Sequence, residues 1–239
     1  MILKEDHKTY QRNNMNKGKL IVIEGLDGAG KATQAKILSE RLVAEGYKVF
    51  SLDFPQYKNN IGGKLLYEVL KSEIASKYNF VNLDPKLASM PYSIDRYESQ
   101  SVIEQAIKEN DFVILDRYTS ANVLHQGAKM KTDEEKIEYV DWLYNIEFKL
   151  FKNPIPDIII LLTIPVDISM TRASVRGDAA NDKADVVESD LNYMTNSYNS
   201  AIFFAKKLDW KVIDGMQNNK ERTVEDINNE LYRHVIKLT

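Results

Sequence analysis

The sequence predicts an α/β fold of three layers, in which helices cover both faces of a mostly parallel sheet of about five strands. Short apolar runs, typical of buried strands, alternate with longer segments of helical periodicity. The first apolar run, residues 20–23, leads into a glycine-rich turn and then into a helical pattern. Alternation of this kind favours parallel pairing, because a helix is long enough to cross back over the sheet. The pattern leaves the order of the strands open.

Each strand is predicted from an apolar run that ends at turn residues. The five predicted strands are residues 20–23, 47–53, 112–115, 157–162 and 210–213.

The helices between them are predicted from apolar spacing and from capping residues. The first helix follows the glycine-rich turn and ends near Gly46. Residues 61–75 should form a helix whose inward-facing side chains are Leu65, Leu66, Val69 and Leu70. Asp84 and Pro85 are a typical helix start, and the helical pattern continues to residue 108.

Three later segments are also predicted as helices. Residues 139–151 are amphipathic and aromatic, and they suit either the core or a dimer contact. A long helix should bury one stripe of side chains, formed by Leu191, Met194, Tyr198, Ile202 and Ala205. A terminal helix begins at Thr223.

The length of 239 residues suits one domain, which we expect to span residues 19–239 after a flexible arm of residues 1–18. The arm is polar and lacks the apolar run of a signal peptide, and no segment is long enough to cross a bilayer. We therefore expect a cytoplasmic protein that has no membrane partner.

Charge and cysteine content exclude several classes of site. The formal net charge of −3 provides no general attraction to nucleic acid, so we expect no such partner. The chain contains no cysteine, which excludes disulfides, thiolate metal sites and cysteine nucleophiles and suits a reducing compartment. The three histidines show no metal-ligand spacing, and we expect His125 to be a hydrogen-bonded structural residue.

Residues 25–33, with the sequence GLDGAGKAT, are predicted to form a phosphate-binding loop. Three glycines allow a tight bend that turns backbone N–H groups inward, and Lys31 enters a helix whose amino end carries partial positive charge. We expect this loop to bind the phosphates of a nucleotide, with Lys31 at the terminal phosphates. The binding residues would be Gly25, Gly28, Ala29, Gly30, Lys31, Ala32 and Thr33.

The position after the lysine usually carries a hydroxyl that binds magnesium, but here it is Ala32. The metal would then be held by water, by Asp116 or by phosphate oxygens alone. Asp116 follows a buried strand, where a magnesium-associated acid occurs in chains that have a phosphate-binding loop. The adjacent Arg117 could bind a phosphate. An Asp–Arg surface pair is the alternative, and the phosphate-binding loop favours the functional interpretation.

A second pocket is predicted for the molecule that accepts a phosphoryl group. Tyr92 and Arg96 are four residues apart, so they share a helix face and could hold a planar base. Periodicity alone instead favours a packed tyrosine beside a solvated arginine. Segments that end at the same edge of the sheet supply the other candidates, which are Asp27, Phe54, Asn122 and Gln126. This aromatic and amide content suits a nucleobase.

Residues 176–184 are small and polar and could form a short lid. Arg172 and Arg176 precede this segment or begin it, so a swinging lid could bring basic side chains onto phosphates. Composition alone also allows a plain surface loop.

These motifs resemble, in order and spacing, those of the thymidylate kinase family. The resemblance is carried by residues 25–31, 54–55, 92–96 and 116–118, and it extends from about Lys19 to the terminal helix. It implies the P-loop NTPase fold and transfer of the terminal phosphoryl group of ATP to dTMP, giving dTDP and ADP. It also implies a requirement for Mg²⁺ and a homodimer.

The resemblance further implies a role for each matched residue. Lys31 would hold the transferring phosphate, and Asp27 would orient the sugar or phosphate of the acceptor. The remaining implied roles are thymine stacking by Tyr92, a bond to its exocyclic oxygen from Arg96, base contacts from Asn122 and Gln126, magnesium binding by Asp116, acceptor-phosphate binding by Arg117, and lid contacts from Arg172 and Arg176.

Three positions depart from the family pattern. Ala32 replaces the metal-binding hydroxyl, Gly28 stands where some members carry an arginine, and Tyr57 lies where many members have an arginine after the Phe-Pro pair. Two alternatives therefore remain at this point. The chain could be a kinase for another nucleoside monophosphate or a deoxynucleoside, or a nucleotide-binding module in which catalysis is impaired.

Overall fold

A computed structural model of the chain describes residues 18–73, 75–180 and 190–239. Its central feature is a five-stranded parallel sheet in the order β2-β3-β1-β4-β5. The strands are β1 (Lys19–Gly25), β2 (Val49–Asp53), β3 (Phe112–Asp116), β4 (Ile158–Thr163) and β5 (Lys211–Asp214). The predicted three-layer α/β fold is confirmed.

Helices lie on both faces of this sheet. They are α1 (Lys31–Ala44), α2 (Ile61–Leu70), α3 (Pro85–Glu98), α4 (Gln100–Glu109), α5 (Thr119–Gly127), α6 (Asp133–Tyr144), α7 (Val166–Ala180), α8 (Leu191–Lys207) and α9 (Val224–Ile236). A π-helical turn, Asn145–Leu150, continues α6, and two short 3₁₀ turns, Ala75–Tyr78 and Phe80–Asn82, precede α3.

Alternation along β1 divides the core between the two faces of the sheet. Leu20 and Val22 pack against α4 and the aromatic ring of Tyr118. Ile21 and Ile23 point the other way and pack against α1 and α9. Because both faces are covered, the strand is almost uniformly apolar, which is why its sequence shows no alternation.

The carboxyl ends of β1 and β3 lie side by side. Ile23 is paired with Asp116 in the parallel register, so the glycine-rich loop after β1 faces the residues that follow β3. Ligands of open α/β sheets bind at this kind of edge.

Several predicted boundaries change in the structure. The helix from residue 61 ends at Leu70, and Leu65 is 43% exposed, because Leu66 and its neighbours turn toward α3 and leave Leu65 on the solvent side. The segment 84–108 forms two helices that meet at Ser99. Asp84 caps the first of them as predicted, since its side chain accepts bonds from two backbone N–H groups.

The predicted stripe of the long helix is also partly wrong. Leu191 and Ile202 are exposed, whereas Ala201 and Phe204 are buried, so the buried stripe is rotated from the one that spacing suggested. The last strand of the sheet begins at Lys211, after Trp210. A short hairpin of Met216–Gln217 and Lys220–Glu221 was not predicted, because two-residue strands carry no periodic signal.

The arm predicted from residues 1–18 lies outside the described residues up to residue 17. Its last residue, Gly18, is buried and donates a backbone hydrogen bond to the carbonyl of Ile107 at 2.9 Å. No helix in the described part of the chain combines the length and the apolar character that crossing a bilayer requires.

Candidate active site

A cavity of about 580 Å³ opens at the carboxyl edge of the sheet, above the ends of β1 and β3. It brings together most of the residues that the sequence nominated. Those that line it are Asp27, Gly28, Ala29, Gly30, Lys31, Ala32, Thr33, Phe54, Tyr92, Arg96, Asp116, Arg117, Asn122, Gln126 and Arg172. Gly25 lies just below, buried at the end of β1.

The structure describes the side chain of only one of the two arginines predicted to act with the lid. Arg172 lies on α7 and lines the cavity. Arg176 lies in the same helix, but its side chain falls outside the described part of the chain, as do residues 181–184.

The glycine-rich loop has the close packing that its sequence predicts. Gly28 has a φ of 83°, and a Cβ placed on it would lie 2.1 Å from the backbone oxygen of Ser169, so only glycine fits there. The loop is also tied to α7, because the Ser169 hydroxyl donates to the carbonyl of Asp27.

Lys31 is the buried cation of this loop, with only 5% of its surface exposed. Its Nζ donates to the carbonyl of Leu26 at 2.9 Å and lies 3.8 Å from Oδ1 of Asp27. Burial and the nearby Arg117 lower the pKa of Lys31, and the carboxylates around it oppose that change. The carboxylates around Lys31 balance its positive charge only in part. A phosphate bound in the cavity would supply the rest of the negative charge.

Arg117 connects the loop to the end of β3. Its Nη2 donates to Oδ1 of Asp27, and its backbone N–H donates to the carbonyl of Ile23 at 3.0 Å. Burial would lower the pKa of Arg117, but the carboxylates of Asp27, Glu24 and Asp116 raise it above its ordinary value. The residue has a φ of 68°, a conformation that non-glycine residues adopt at a cost of about 1–3 kcal/mol and often at functional sites.

Asp116 is the carboxylate best placed for a metal. No described residue donates a hydrogen bond to its buried Oδ1. Burial raises the pKa of Asp116, while Lys31 and Arg117 lower it. Magnesium is commonly held by one or two carboxylates together with substrate phosphates, so this oxygen fits a metal that a nucleotide carries in. The described residues contain no cluster of three or more ligating side chains.

Asp53 is a site residue that the sequence analysis missed. It lies at the end of β2, paired in register with Asp116, and it lines the cavity. The only signal for it was its position at the end of a predicted strand, and that signal is shared by many surface aspartates.

The other end of the cavity is aromatic. Tyr92 lines it and meets the ring of Phe80 edge-on at 6.2 Å. Tyr57, which follows the Phe-Pro pair, also lines it, and the Nζ of Lys71 lies 5.3 Å from the Tyr57 ring centroid. Phe80 and Lys71 were missed because they follow α2 in irregular segments.

Arg96 is not solvated, so that alternative is wrong. Only 2% of the residue is exposed, and all five of its N–H groups have acceptors. Nε and Nη2 donate to the Glu147 carboxylate at 2.6–3.2 Å, Nη1 donates to the Asn122 side chain at 3.1 Å, and longer bonds reach the Tyr118 carbonyl and the Ser93 hydroxyl.

The polar face of α5 completes the cavity. No described residue donates to the buried Oε1 of Gln126. His125 was expected to be hydrogen-bonded, but its buried Nδ1 has no hydrogen-bond partner within the described segments. Its ring instead stacks on Tyr193 with centroids 5.9 Å apart. Unsatisfied buried polar atoms are costly in a folded protein, so their concentration on one cavity wall indicates a binding site.

The family model described as thymidylate kinase matches residues 23–227. The chain belongs to the thymidylate kinase family. It is therefore a nucleoside monophosphate kinase, an enzyme of the phosphotransferase class.

Individual relatives agree with the family match. The thymidylate kinase of Prochlorococcus marinus (strain MIT 9515) is 32% identical over 224 residues, which cover 92% of this chain and 98% of the relative. The thymidylate kinase of Plasmodium falciparum (isolate 3D7) is 26% identical, with 95% and 93% covered. The solved structure of Candida albicans thymidylate kinase has the same fold, with a TM-score of 0.68, 23% identity, and 94% and 93% of the two chains covered.

The cavity is also lined by residues that were not predicted from the sequence. Arg222, Val224 and Ile227 line the cavity beside the start of α1. Gln34, in the first turn of α1, donates to the carbonyl of Val224 at 3.0 Å, which fixes this segment against α1. Arg172 forms an ion pair with Glu221 of the hairpin at 2.5 Å.

The environment of His125 predicts a pH dependence of stability. Burial, reinforced by Arg117, lowers the pKa of His125 from 6.5 to about 3. Below pH 6.5 the unfolded chain therefore binds a proton that the folded protein excludes. The free energy of unfolding consequently decreases as the pH is lowered. The loss from this residue between pH 7 and pH 5 is at most about 2 kcal/mol.

His125→Gln should remove most of that loss, which urea denaturation of the wild type and the variant at both pH values would measure. His234→Gln is the matched control and should change the pH dependence less, because His234 is only partly buried and burial therefore lowers its pKa less than that of His125. An identical pH dependence for wild type and His125→Gln would contradict a neutral buried imidazole.

Proposed function

We propose that this protein transfers the terminal phosphoryl group of ATP to dTMP, giving ADP and dTDP. The observation that carries the proposal is the layout of one cavity. A phosphate-binding loop and a cationic pair, Lys31 and Arg117, lie at one end, and an aromatic and amide wall lies at the other. The family match supports dTMP as the acceptor over the alternatives of another nucleotide or a module without catalysis.

The reaction requires positioning more than covalent chemistry. Phosphoryl transfer proceeds through a loose transition state, and the protein aligns donor and acceptor in line and stabilises charge on the equatorial oxygens. A phosphate monoester has a second pKa of about 6, so dTMP is already a nucleophile at neutral pH. No residue is therefore assigned as a general base.

On the phosphate side, Lys31 would bind the transferring group and Arg117 the acceptor phosphate. Asp27 contacts both cations, at 3.8 Å from Lys31 and through a hydrogen bond from Arg117. It would hold them apart in the geometry that an in-line transfer needs. Arg172 and Arg176 would add positive charge from α7, and an enclosed site would exclude water that otherwise hydrolyses ATP.

On the base side, the Asn122 and Gln126 side chains suit the imide edge of thymine. Arg96 donates to Oδ1 of Asn122, and Nδ2 of Asn122 donates one hydrogen to the Ser89 carbonyl at 3.5 Å, so its second N–H is the donor for a ligand. Oε1 of Gln126 is an acceptor without a described donor. A donor beside an acceptor matches a thymine carbonyl and its N3–H, whereas cytosine carries an amine instead of that carbonyl.

Two further roles belong to the base pocket. Tyr92 and Phe54 would pack against the thymine ring. Arg96 would reach an exocyclic oxygen only by sharing the donors now directed at the Tyr118 carbonyl and the Ser93 hydroxyl, which are its longest bonds at 3.4 and 3.5 Å.

Magnesium would be held by Asp116 together with phosphate oxygens and water, because Ala32 has no ligand to offer. When bound, the ion neutralises charge on the donor phosphates. The glycine-rich loop would bind the same phosphates through the backbone N–H groups of Gly28, Gly30, Ala32 and Thr33, whereas the N–H of Ala29 donates to the carbonyl of Leu26 at 3.1 Å.

We further propose that the protein is a homodimer in the cytoplasm. An apolar face formed by Tyr97, Val102, Leu150 and Phe151 is its candidate interface. Tyr97 and Val102 are each 49% exposed and Leu150 is 66% exposed, and the ring of Tyr97 lies 4.7 Å from that of Phe151. Exposed apolar side chains grouped on one face are typical of protein interfaces, and this grouping is part of the proposal.

An acceptor panel tests the proposed reaction directly. ADP release from ATP and Mg²⁺ would be measured with dTMP, dUMP, dCMP, dAMP, dGMP and thymidine. We expect the largest kcat/KM for dTMP. A preference for thymidine would instead identify a nucleoside kinase, and ATP binding without turnover on any acceptor would identify a module that has lost catalysis.

Replacement of the loop lysine should abolish most of the activity. Lys31→Ala removes the cation at the transferring phosphate, so kcat should fall by about 10²–10³-fold, the range seen when one electrostatic stabiliser is deleted. Lys36→Ala, in the same helix but largely exposed, should retain wild-type kcat. Circular dichroism must show that Lys31→Ala is folded, and near-normal kcat in that folded variant would refute the assignment.

Tyr97→Asp should shift the protein from dimer to monomer, because it places a charge in the proposed apolar interface. Sedimentation equilibrium at several concentrations measures the change. Val43→Asp, on the exposed side of α1, is the control and should leave the dimer intact. A wild type that sediments only as a monomer would rule out the homodimer.

A further inference from the structure

Glu147 is a fully buried carboxylate that does not line the cavity. It lies on the π-helical turn Asn145–Leu150, and none of its surface is exposed. Such turns interrupt α-helices rarely and occur often at functional sites. Its two oxygens accept bonds from Arg96, from Nδ2 of Asn153 at 2.7 Å and from the Thr119 hydroxyl at 3.4 Å.

All of the neighbours that contact this carboxylate are donors. A carboxylate can satisfy them because it only accepts hydrogen bonds, and it also balances the charge of Arg96. Burial alone would lower the pKa of Arg96, but Glu147 raises it, so the ion pair persists over the physiological range. The pair is therefore a fixed support beneath the cavity, where a lone buried guanidinium would be unstable.

This support is connected to the cavity through Asn122. Nη1 of Arg96 donates to Oδ1 of Asn122 at 3.1 Å, which determines which end of the amide faces Arg96. The Asn122 backbone is fixed as well, because its carbonyl accepts a bond from the Tyr139 hydroxyl at 3.3 Å. That hydroxyl is in turn 2.7 Å from the Ser89 hydroxyl, so α3, α5 and α6 meet around one side chain.

We propose that Glu147 is a positioning residue that sets acceptor specificity. By holding Arg96, it keeps Oδ1 of Asn122 turned to the guanidinium and leaves for the ligand the amide N–H that does not bond Ser89. The site thereby prefers a base with a carbonyl over a base with an amine at that position. The inference rests on the proposed function, since it assigns the Asn122 amide to the base of the acceptor.

The neutral variant Glu147→Gln has nearly the same shape but a different hydrogen-bonding capacity. One end of a glutamine amide is a donor, and it would face Asn153, Thr119 or Arg96, which are also donors. Arg96 would lose part of its anchor and its charge balance. The Asn122 amide could then turn over and present its oxygen, which accepts from the cytosine amine as readily as its nitrogen donates to the thymine carbonyl.

The test compares dTMP and dCMP in the full-length wild type and in Glu147→Gln, using dissociation constants from calorimetry together with kcat and KM. We expect Glu147→Gln to raise the Kd and KM for dTMP by about tenfold, the effect of losing one good hydrogen bond. The preference for dTMP over dCMP should fall by a similar factor, while the KM for ATP stays within about twofold.

Two further variants separate positioning from general destabilisation. Val140→Ala removes a buried side chain of α6 outside this network, so it should lower Tm without changing the dTMP/dCMP ratio. Glu147→Asp keeps the charge at a shorter reach, so it should restore part of the ratio. If Glu147→Gln does not fold, Glu147→Asp still tests the proposal, because its dTMP/dCMP ratio should lie below that of the wild type.

An unchanged dTMP/dCMP ratio in Glu147→Gln, or in Glu147→Asp if only that variant folds, would overturn the inference and leave Glu147 a purely structural residue. Failure of the proposed function looks different. It would appear as wild-type protein that binds dTMP without transferring phosphate to it, and the binding ratio of the variants would still decide the role of Glu147.

Discussion

The hydrogen-bonded ion pair of Asp27 and Arg117 is the contact on which the rest of the site depends. Asp27 belongs to the loop after β1, and Arg117 follows β3, the next strand in the sheet. Parallel pairing aligns Ile23 with Asp116, so the two segments meet without any long side chain having to bridge a gap. Arg117 is held in a left-handed backbone conformation at this junction, and the surrounding contacts keep it there.

Around this pair, the fold buries more charged side chains than a purely structural core would require. Glu24, Lys31, Arg96 and Glu147 are all at most 5% exposed. Glu24 accepts from the N–H of Gly25 at 2.9 Å and from the Ser120 hydroxyl at 2.8 Å, and so ties β1 to α5. Buried charges add little net stability, but they fix directions firmly. Here they fix the direction of donors toward the cavity before a ligand arrives, which is what phosphoryl transfer needs.

The cavity is complementary to a ligand with two different ends. Its phosphate end has cations that are only partly neutralised by Asp27, and its other end has rings and amides whose hydrogen-bonding capacity is incomplete in the described structure. The carboxylate of Asp116 lies near the cations Lys31 and Arg117, and one of its oxygens has no donor among the described residues. A nucleotide has matching groups in the same order, with charged phosphates at one end and a ring with a polar edge at the other.

The sequence by itself determined the parts of this protein that depend on local spacing. Glycines at residues 25, 28 and 30, a lysine next to them and apolar runs of strand length predict the loop, the sheet and the phosphate end of the site. Motifs at residues 92–96 and 116–118 also indicated the acceptor side, because their order along the chain is that of one family.

Only the tertiary structure decided how distant segments meet. The strand order, the pairing of Asp53 with Asp116 and the burial of Arg96 against Glu147 join residues that are 51 or more positions apart. A solvated arginine and a buried one have the same helical spacing, so no pattern distinguishes them. The partner that makes burial of the charge possible lies on a different helix, and its position is known only once the chain has folded.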